Sequence, residues 1–186
     1  FGINPRQFMP GAYIQFLQFP GTTMTDTPLN QAEISGDMGT VLRELDMRVK
    51  TLVTSRPVAQ SGLQERDIFN YPFVAVRELL MNAVLHRDYQ SNTPIKFYQF
   101  SDRIEIISPG GLYGSVTPEN FGSGHDSSYR NPTIAEVLKN MGFVNRFGYG
   151  IGRAQTELSQ NGNTPAEFGL ENKHCVLVII GERKLS

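Results

Sequence analysis

Glu78, Asn82 and His86 are the residues best suited to chemistry, and they recur at steps of four within the segment RELLMNAVLHRDY. Four residues advance an α-helix by about 40° beyond one full turn, so these side chains lie on one stripe of a helix. A carboxylate, an amide and an imidazole are costly to bury beside apolar neighbours unless a ligand or a metal ion partners them. The stripe therefore indicates a binding site; an exposed helix face is the alternative interpretation.

The same segment contains His86-Arg87-Asp88, a triplet that also occurs in the catalytic loop of protein kinases. Here the triplet ends a predicted helix, and Asn92 falls one residue short of the kinase spacing. The sequence also has neither a DFG triplet nor an upstream glycine-rich loop, so we reject the kinase interpretation. Arg87 and Asp88 are interpreted as a cation at a helix C-terminus followed by a turn acid.

Two glycine clusters could bring a ligand close to the backbone. Ser108-Pro-Gly-Gly111 follows a predicted strand, where an ordinary turn is the alternative. The second cluster precedes a predicted helix and consists of Gly148, Gly150 and Gly152, with Arg146 and Arg153 beside them. A helix N-terminus with flanking guanidiniums suits a phosphate, although a flexible connection between helices fits the same residues. The GxGxG spacing is neither a Rossmann fingerprint nor a P-loop.

The segment between the clusters, from Pro109 to Arg130, has five glycines and four serines in 22 residues and no clear periodicity. Connections longer than about 12 to 15 residues in a compact domain are usually lids or disordered. We expect a lid that becomes ordered over a nucleotide, with His125 and Arg130 able to reach phosphate oxygens.

The composition excludes several classes of protein. The 186 residues include 17 Lys and Arg against 18 Asp and Glu, a net charge of -1 that argues against a DNA-binding module acting alone. One cysteine, Cys175, excludes an internal disulfide, and the three histidines form no zinc motif. No apolar run approaches the roughly 20 residues of a membrane span and no signal peptide is present, so we expect a cytoplasmic protein without membrane contact.

Hydrophobic periodicity and turn residues predict the elements that must position these side chains. The predicted strands are Ala12–Phe19, Gln31–Ile34, Ile95–Phe100, Arg103–Ile107 and His174–Ile180, and the predicted helices run from Asp37 to about Val53, Pro72 to about His86, Asn131-Pro132 to about Met141, and Gly150 to Gln160. This order predicts an α+β fold, a two-layer sandwich whose mixed, mostly antiparallel sheet carries helices on one face.

The domain boundaries follow from the same pattern and from the length. We expect one compact domain, with a core at 71–186 and with residues 1–70 either completing it or ending a preceding domain. The chain begins at Phe1 rather than Met, so we also expect it to be a piece of a longer protein.

Taken in order, E-x-x-x-N-A on a helix, a strand before xPGG, a long loop and a GxGxG helix start resemble the ATP-binding Bergerat fold. More narrowly, RELLMNAVLHRDY, RIEIISPGGL, RNPTIAEVL and NRFGYGIGR resemble the ATPase-like domain of Schlafen/AlbA-type transcriptional regulators, which are also labelled ATP-dependent DNA helicase-related proteins. The resemblance is strong from Tyr71 to Arg153 and looser over Ala12–Val53.

The resemblance implies a role for each matching residue. Glu78 matches the residue that positions or deprotonates the attacking water, and Asn82 matches the ligand of Mg²⁺. Gly110 and Gly111 match the glycines beside the adenine, and the phosphate end is matched by Gly148, Gly150 and Gly152. Ser108 stands where the superfamily has an Asp that accepts a hydrogen bond from the adenine amino group, and a hydroxyl accepts a weaker one.

The resemblance implies a nucleotide-binding regulatory domain that takes ATP and Mg²⁺, with weak or no hydrolysis. His86, Arg130 and Arg153 complete the residues expected at the nucleotide. DNA contacts would come only from domains absent from this chain, and a homodimer is left open. The alternative is a degenerate domain that binds no nucleotide and serves for dimerisation or as a scaffold.

Overall fold

The computed structural model describes residues 4–124, 128–143 and 148–185. Within these ranges the elements follow the chain as β1 (Ile14–Gln18), β2 (Asn30–Ile34), α1 (Met38–Leu52), β3 (Ser55–Ser61), β4 (Gln64–Phe69), α2 (Phe73–His86), β5 (Ile95–Gln99), β6 (Arg103–Pro109), α3 (Pro132–Asn140), α4 (Gly150–Asn161), β7 (Glu167–Gly169) and β8 (Cys175–Gly181). One short 3-10 turn, Pro5–Gln7, precedes them.

Six strands form one sheet in the order β2-β1-β5-β6-β8-β7. Strands β1 and β5 run parallel, and the other neighbouring pairs are antiparallel. One face of the sheet packs against the helices, and Phe97 and Ile106 lie at the centre of that core. The other face has a small cluster of Phe19, Tyr98 and Phe100. The predicted α+β sandwich with a mixed, mostly antiparallel sheet is confirmed.

Helix α1 forms where the sequence predicts it because the chain supplies both a cap and an apolar stripe. Asp37 accepts hydrogen bonds from the Thr40 amide at 3.0 Å and the Thr40 hydroxyl at 2.7 Å. The first of these bonds satisfies the Thr40 amide, which has no partner within the first turn of the helix. The buried stripe is Val41, Leu42, Leu45, Val49 and Leu52, which matches the periodicity of the sequence.

Helix α2 is the central helix of the layer, since it contacts α1, α4 and strand β6. Pro72 is its N-cap rather than a residue of its first turn. Most of its circumference is apolar and buried, and the polar stripe of Glu78, Asn82 and His86 faces a pocket. The helix therefore holds both core residues and candidate site residues.

Residues on both sides of position 70 share one core. Strand β1 pairs with β5 in the main sheet, and Leu42 and Leu45 of α1 belong to the same buried cluster as Leu79 of α2. Within the described ranges no helix is both long and apolar enough to cross a bilayer.

The sequence did not predict three of the strands: β3 and β4, which form a hairpin, and the short strand β7. The hairpin has nearly all its side chains exposed, so its sequence shows no apolar alternation. Asn161 of α4 anchors it by accepting from the Phe69 amide at 3.0 Å and donating to the Phe69 carbonyl at 2.6 Å. The amide side chain thus pairs with β4 as another strand would.

Candidate functional site

A pocket opens between α2, the end of β6, the segment 111–124 and the start of α4. Its empty volume is about 1220 Å³, a figure that includes the mouth open to solvent. The walls are mostly apolar, formed by residues such as Leu79, Ile106 and Val178. The predicted site residues that line it are Glu78, Asn82, His86, Ser108, Gly110, Gly111, Gly148 and Gly150. Such a pocket, apolar with a few converging polar groups, is typical of small-molecule sites.

Glu78 and Asn82 meet the first residue of α4 at one end of the pocket. A Cβ added to Gly150 would lie 3.2 Å from Asn82 Nδ2 and 3.3 Å from Glu78 Oε2. The Asn82 Nδ2 atom is buried and has no hydrogen-bond partner among the described residues. The lack of a side chain at Gly150 thus lets α4 approach the carboxylate and the amide closely, and the amide has an unused donor.

The N-terminus of α4 completes this end of the pocket. Tyr149 is the N-cap residue and makes no side-chain cap hydrogen bond. Gly148 adopts φ +85°, which brings the chain into the helix in a conformation that few other residues adopt. Gly152 faces open space and does not line the pocket, and Arg146 lies outside the described residues. Uncapped first-turn amides and the helix dipole favour an anion here.

Arg153, one turn into α4, does not line the pocket but pairs with its carboxylate. Its Nη1 lies 3.2 Å from Glu78 Oε1, the same oxygen that accepts from Arg77 Nη2 at 2.9 Å. The Glu78 side chain is 13% exposed, whereas that of Arg153 is 46% exposed. Two guanidiniums around one carboxylate leave this end of the pocket with an excess of positive charge.

Ser108, near the end of β6, also lines the pocket and is buried. Its hydroxyl donates to the Ala83 carbonyl of α2 at 2.9 Å. A serine hydroxyl has one proton to donate, so only its lone pairs remain available to a ligand. Its role as an acceptor for adenine, which the resemblance implies, stays a prediction.

Gly110 and Gly111 line the pocket, but their amides are already paired with the chain that enters β8. Gly110 donates to the His174 carbonyl at 2.8 Å, and Gly111 donates to the Lys173 carbonyl at 3.2 Å. A Cβ at Gly111 would lie 2.7 Å from that Lys173 oxygen. These glycines therefore permit a close approach between two protein segments, and their amides are not free for a phosphate.

His86 lies in the same wall, stacked on the Tyr129 ring at 5.9 Å between centroids. Burial lowers the pKa of His86, and the nearby charge of Arg130 lowers it further. The imidazole is therefore neutral near pH 7, with one nitrogen to donate and one to accept.

Arg130 does not line the pocket. It donates to the Gly111 carbonyl at 3.1 Å and lies over the Tyr113 ring, 4.7 Å from its centroid. These contacts place the guanidinium beside the glycines of the Ser108 cluster. That Arg130 reaches phosphate oxygens stays a prediction.

The predicted lid starts at Pro109, but Pro109 is the last residue of β6, so the loop begins one residue later than predicted. Its described residues form turns that fold over the pocket, with Phe121 edge-on to Phe168 of β7 at 5.1 Å. Asn120 closes one turn by accepting from the Thr117 amide at 2.7 Å. His125 lies outside the described residues.

Arg87 is a residue whose place the sequence did not indicate. Its side chain is buried, and its Nη2 donates to the carbonyls of Gly11 at 2.6 Å, Ser91 at 3.0 Å and Thr93 at 2.8 Å. It thus ties two loops to the end of α2. Asp88 behaves as the predicted turn acid, because its carboxylate accepts from the Gln90 amide at 2.9 Å.

The donor set agrees with a metal held mainly by a phosphate. The described residues contain no group of three or more His, Cys, Asp or Glu side chains that could hold an ion by themselves. Mg²⁺ commonly takes one or two protein oxygens and completes its shell with substrate phosphates and water. The Asn82 side chain lies close to Gly150, and its amide oxygen has the chemistry of such a single protein ligand, whereas its nitrogen can only donate.

One family of known proteins is similar to part of the chain. Residues 92–180 match the family described as "Putative ATP-dependent DNA helicase recG C-terminal", so the predicted resemblance is confirmed over these residues. The match includes Ser108 and Gly150 but begins after Glu78 and Asn82. No curated protein sequence matches the chain.

A solved structure shares the fold. The DIP2311 protein from Corynebacterium diphtheriae superposes with a TM-score of 0.80 over 95% of this chain, at 22% sequence identity. The present chain covers 36% of that protein's length.

Proposed function

We propose that this chain, ATPase-like over residues 92–180, binds ATP together with Mg²⁺ and serves as a regulatory domain with weak or no hydrolysis. The observation that carries the proposal is the buried, unpartnered amide nitrogen of Asn82, which faces the pocket beside Gly150. An unsatisfied buried polar group costs about 1–3 kcal/mol, and a bound phosphate oxygen would supply its missing partner.

The site has partners suited to both parts of ATP. Ser108 lines the pocket, and its free lone pairs suit the exocyclic amino group of adenine. The uncapped N-terminus of α4 and the guanidinium of Arg153 suit phosphates. Mg²⁺, when bound, would neutralise phosphate charge, with the Asn82 amide oxygen as its protein ligand.

Glu78 is the residue proposed to orient the attacking water and accept its proton. Its Oε1 is engaged by Arg77 and Arg153, which leaves Oε2 as the oxygen on the Gly150 side. An oxygen that already accepts from two guanidiniums has little capacity left for a water molecule, so only one oxygen of Glu78 remains for this role. This arrangement supports slow turnover rather than an efficient ATPase.

Calorimetric titration with ATP, with and without Mg²⁺, tests the proposal on the wild type, Asn82→Ala and Glu78→Gln. We expect Asn82→Ala to weaken Mg²⁺-dependent binding about tenfold or more, since it removes a ligand of the ion and a phosphate donor. Glu78→Gln should bind ATP at least as tightly as the wild type and lose any turnover. Equal ATP affinity in the wild type and Asn82→Ala would overturn the role of Asn82.

The paired amides of Gly110 and Gly111 favour a second candidate, a degenerate domain that binds no nucleotide and serves as a scaffold or dimerisation element. A thermal-shift series separates the two, because a ligand that binds only the native state raises its stability. No shift with ATP or ADP, with Mg²⁺ present, would favour the scaffold. Any role in transcriptional regulation would require DNA contacts from parts of the protein outside this chain.

A further inference from the structure

The ion pair between Arg153 and Glu78 joins α4 to α2 at the phosphate end of the pocket. Its two side chains differ in environment: the carboxylate is 13% exposed and lines the pocket, whereas the guanidinium is 46% exposed. An exposed ion pair contributes little to stability, since solvent screens it. The guanidinium can therefore leave the carboxylate at a small cost.

A terminal phosphate at the start of α4 would compete for this guanidinium. Arg153 is the fourth residue of α4, one turn from the uncapped amides, and Glu78 Oε2 lies 3.3 Å from the position of a Cβ on Gly150. A phosphate there would lie next to the carboxylate, and the two anions would repel each other. A guanidinium forms bidentate, charge-assisted bonds with phosphate, and the terminal phosphate has more negative charge than a carboxylate.

We propose that Arg153 exchanges Glu78 for the terminal phosphate of a nucleoside triphosphate, and that this exchange distinguishes the triphosphate from the diphosphate. The inference rests on the proposed function. Arg77 remains on Glu78 Oε1 at 2.9 Å, so the enclosed carboxylate keeps one cation when Arg153 leaves. Arg153 is thus a phosphate-binding residue that couples the state of Glu78 to the number of phosphates.

Titration calorimetry with Mg²⁺ and either ADP or the β,γ-imido analogue of ATP tests the exchange. We expect the wild type to bind the analogue about tenfold more tightly than ADP, because only the analogue recruits Arg153. In Arg153→Ala this ratio should fall to about one while ADP affinity changes less than about twofold. Arg153→Lys should restore part of the ratio, since it keeps the charge without the bidentate geometry.

Arg43→Ala is the matched control, because it removes an exposed guanidinium of α1 whose described bond is to Thr40. The ratio should stay at the wild-type value in this variant. Glu78→Gln frees Arg153 and should raise affinity for the analogue severalfold, a gain that should disappear when Arg153→Ala is added.

The outcomes separate this inference from the proposed function. If wild-type protein binds ADP and the analogue but Arg153→Ala keeps the wild-type ratio, the exchange is wrong and the nucleotide site stands. If Arg153→Ala weakens both ligands equally, Arg153 holds a shared phosphate or the fold, and the exchange is again wrong. If wild-type protein binds neither ligand, both the inference and the proposed function fail.

Discussion

Gly150 and Gly152 occupy the same helix turn, yet only one of them has close neighbours. A Cβ at Gly150 would press on Asn82 and Glu78, whereas one at Gly152 would meet nothing within 4 Å. We expect Gly150→Ala to reduce nucleotide affinity about tenfold, because it fills the space beside the two polar groups.

Gly152→Ala is the matched control for Gly150→Ala. It should retain affinity and raise the free energy of unfolding by up to about 1 kcal/mol, the usual gain in a helix interior. Calorimetry and urea denaturation of both variants measure these effects. Equal affinity in the two alanine variants would show that the space at Gly150 has no part in binding.

The buried contacts of Arg87 lead to a prediction about the free energy of unfolding. Its Nη2 donates to the carbonyls of Gly11, Ser91 and Thr93. Arg87→Ala would leave these acceptors without their donor and would open a buried cavity. We expect the free energy of unfolding to fall by about 3 kcal/mol or more. Urea denaturation measures the loss, with the exposed Arg43→Ala as a control expected to change stability by at most about 0.5 kcal/mol. A loss in Arg87→Ala no larger than in the control would show that the buried bonds contribute little.

The residues of the site were predictable to the extent that they share one helix. The spacing of Glu78, Asn82 and His86 places them on one stripe whatever surrounds the helix, and all three line the pocket. The partners of Arg87 and Gly111 were not predictable, because those bonds join positions distant in sequence. Sequence alone gives the type of a donor but not the acceptor that tertiary structure brings to it.

Among the elements, helices and central strands followed from periodicity, whereas the β3–β4 hairpin did not. Helix α1 and strand β8 each bury an apolar face, so their sequences show the period of that face. The hairpin is held through the side chain of Asn161, which is far away in sequence, and Ile68 is its one buried hydrophobic side chain. Where an element is stabilised by a distant polar contact, local patterns cannot reveal it.

The segment 109–130 is predicted to become protected from proteolysis when nucleotide binds. Its described part folds over the pocket through contacts such as Phe121 with Phe168, and Tyr113 is 43% exposed. We expect Mg²⁺ and ATP to slow chymotryptic cleavage after Tyr113, because closure over a ligand removes the open conformation that the protease needs. Mass spectrometry of the fragments measures the rate.

The hairpin provides the internal control for this proteolysis. Leu63 at its tip is 99% exposed and lies outside the pocket lining, so cleavage there should proceed equally with and without nucleotide. Equal rates at Tyr113 in both conditions would show that the segment does not respond to the ligand. Slowing at both positions would indicate inhibition of the protease instead.

For the whole molecule, charge limits what the chain can bind without other parts of the protein. Its 17 basic and 18 acidic residues give a net charge of -1, and several described cations are already paired with carboxylates, among them Arg48 with Glu44 and Lys50 with Asp46. Non-specific affinity for duplex DNA depends on free Lys and Arg side chains that neutralise phosphates and release counterions. A surface with no net positive charge gains little free energy from phosphate neutralisation of this kind.

We therefore expect this chain by itself to bind duplex DNA no better than a generic acidic protein. A mobility-shift titration at low salt, where electrostatic binding is strongest, gives the most sensitive measurement. An acidic protein of similar size serves as the control, and ATP with Mg²⁺ is added in a parallel series because bound nucleotide adds further negative charge. Retardation at micromolar protein that disappears as salt is raised would contradict the expectation. It would place a DNA-binding surface within these 186 residues.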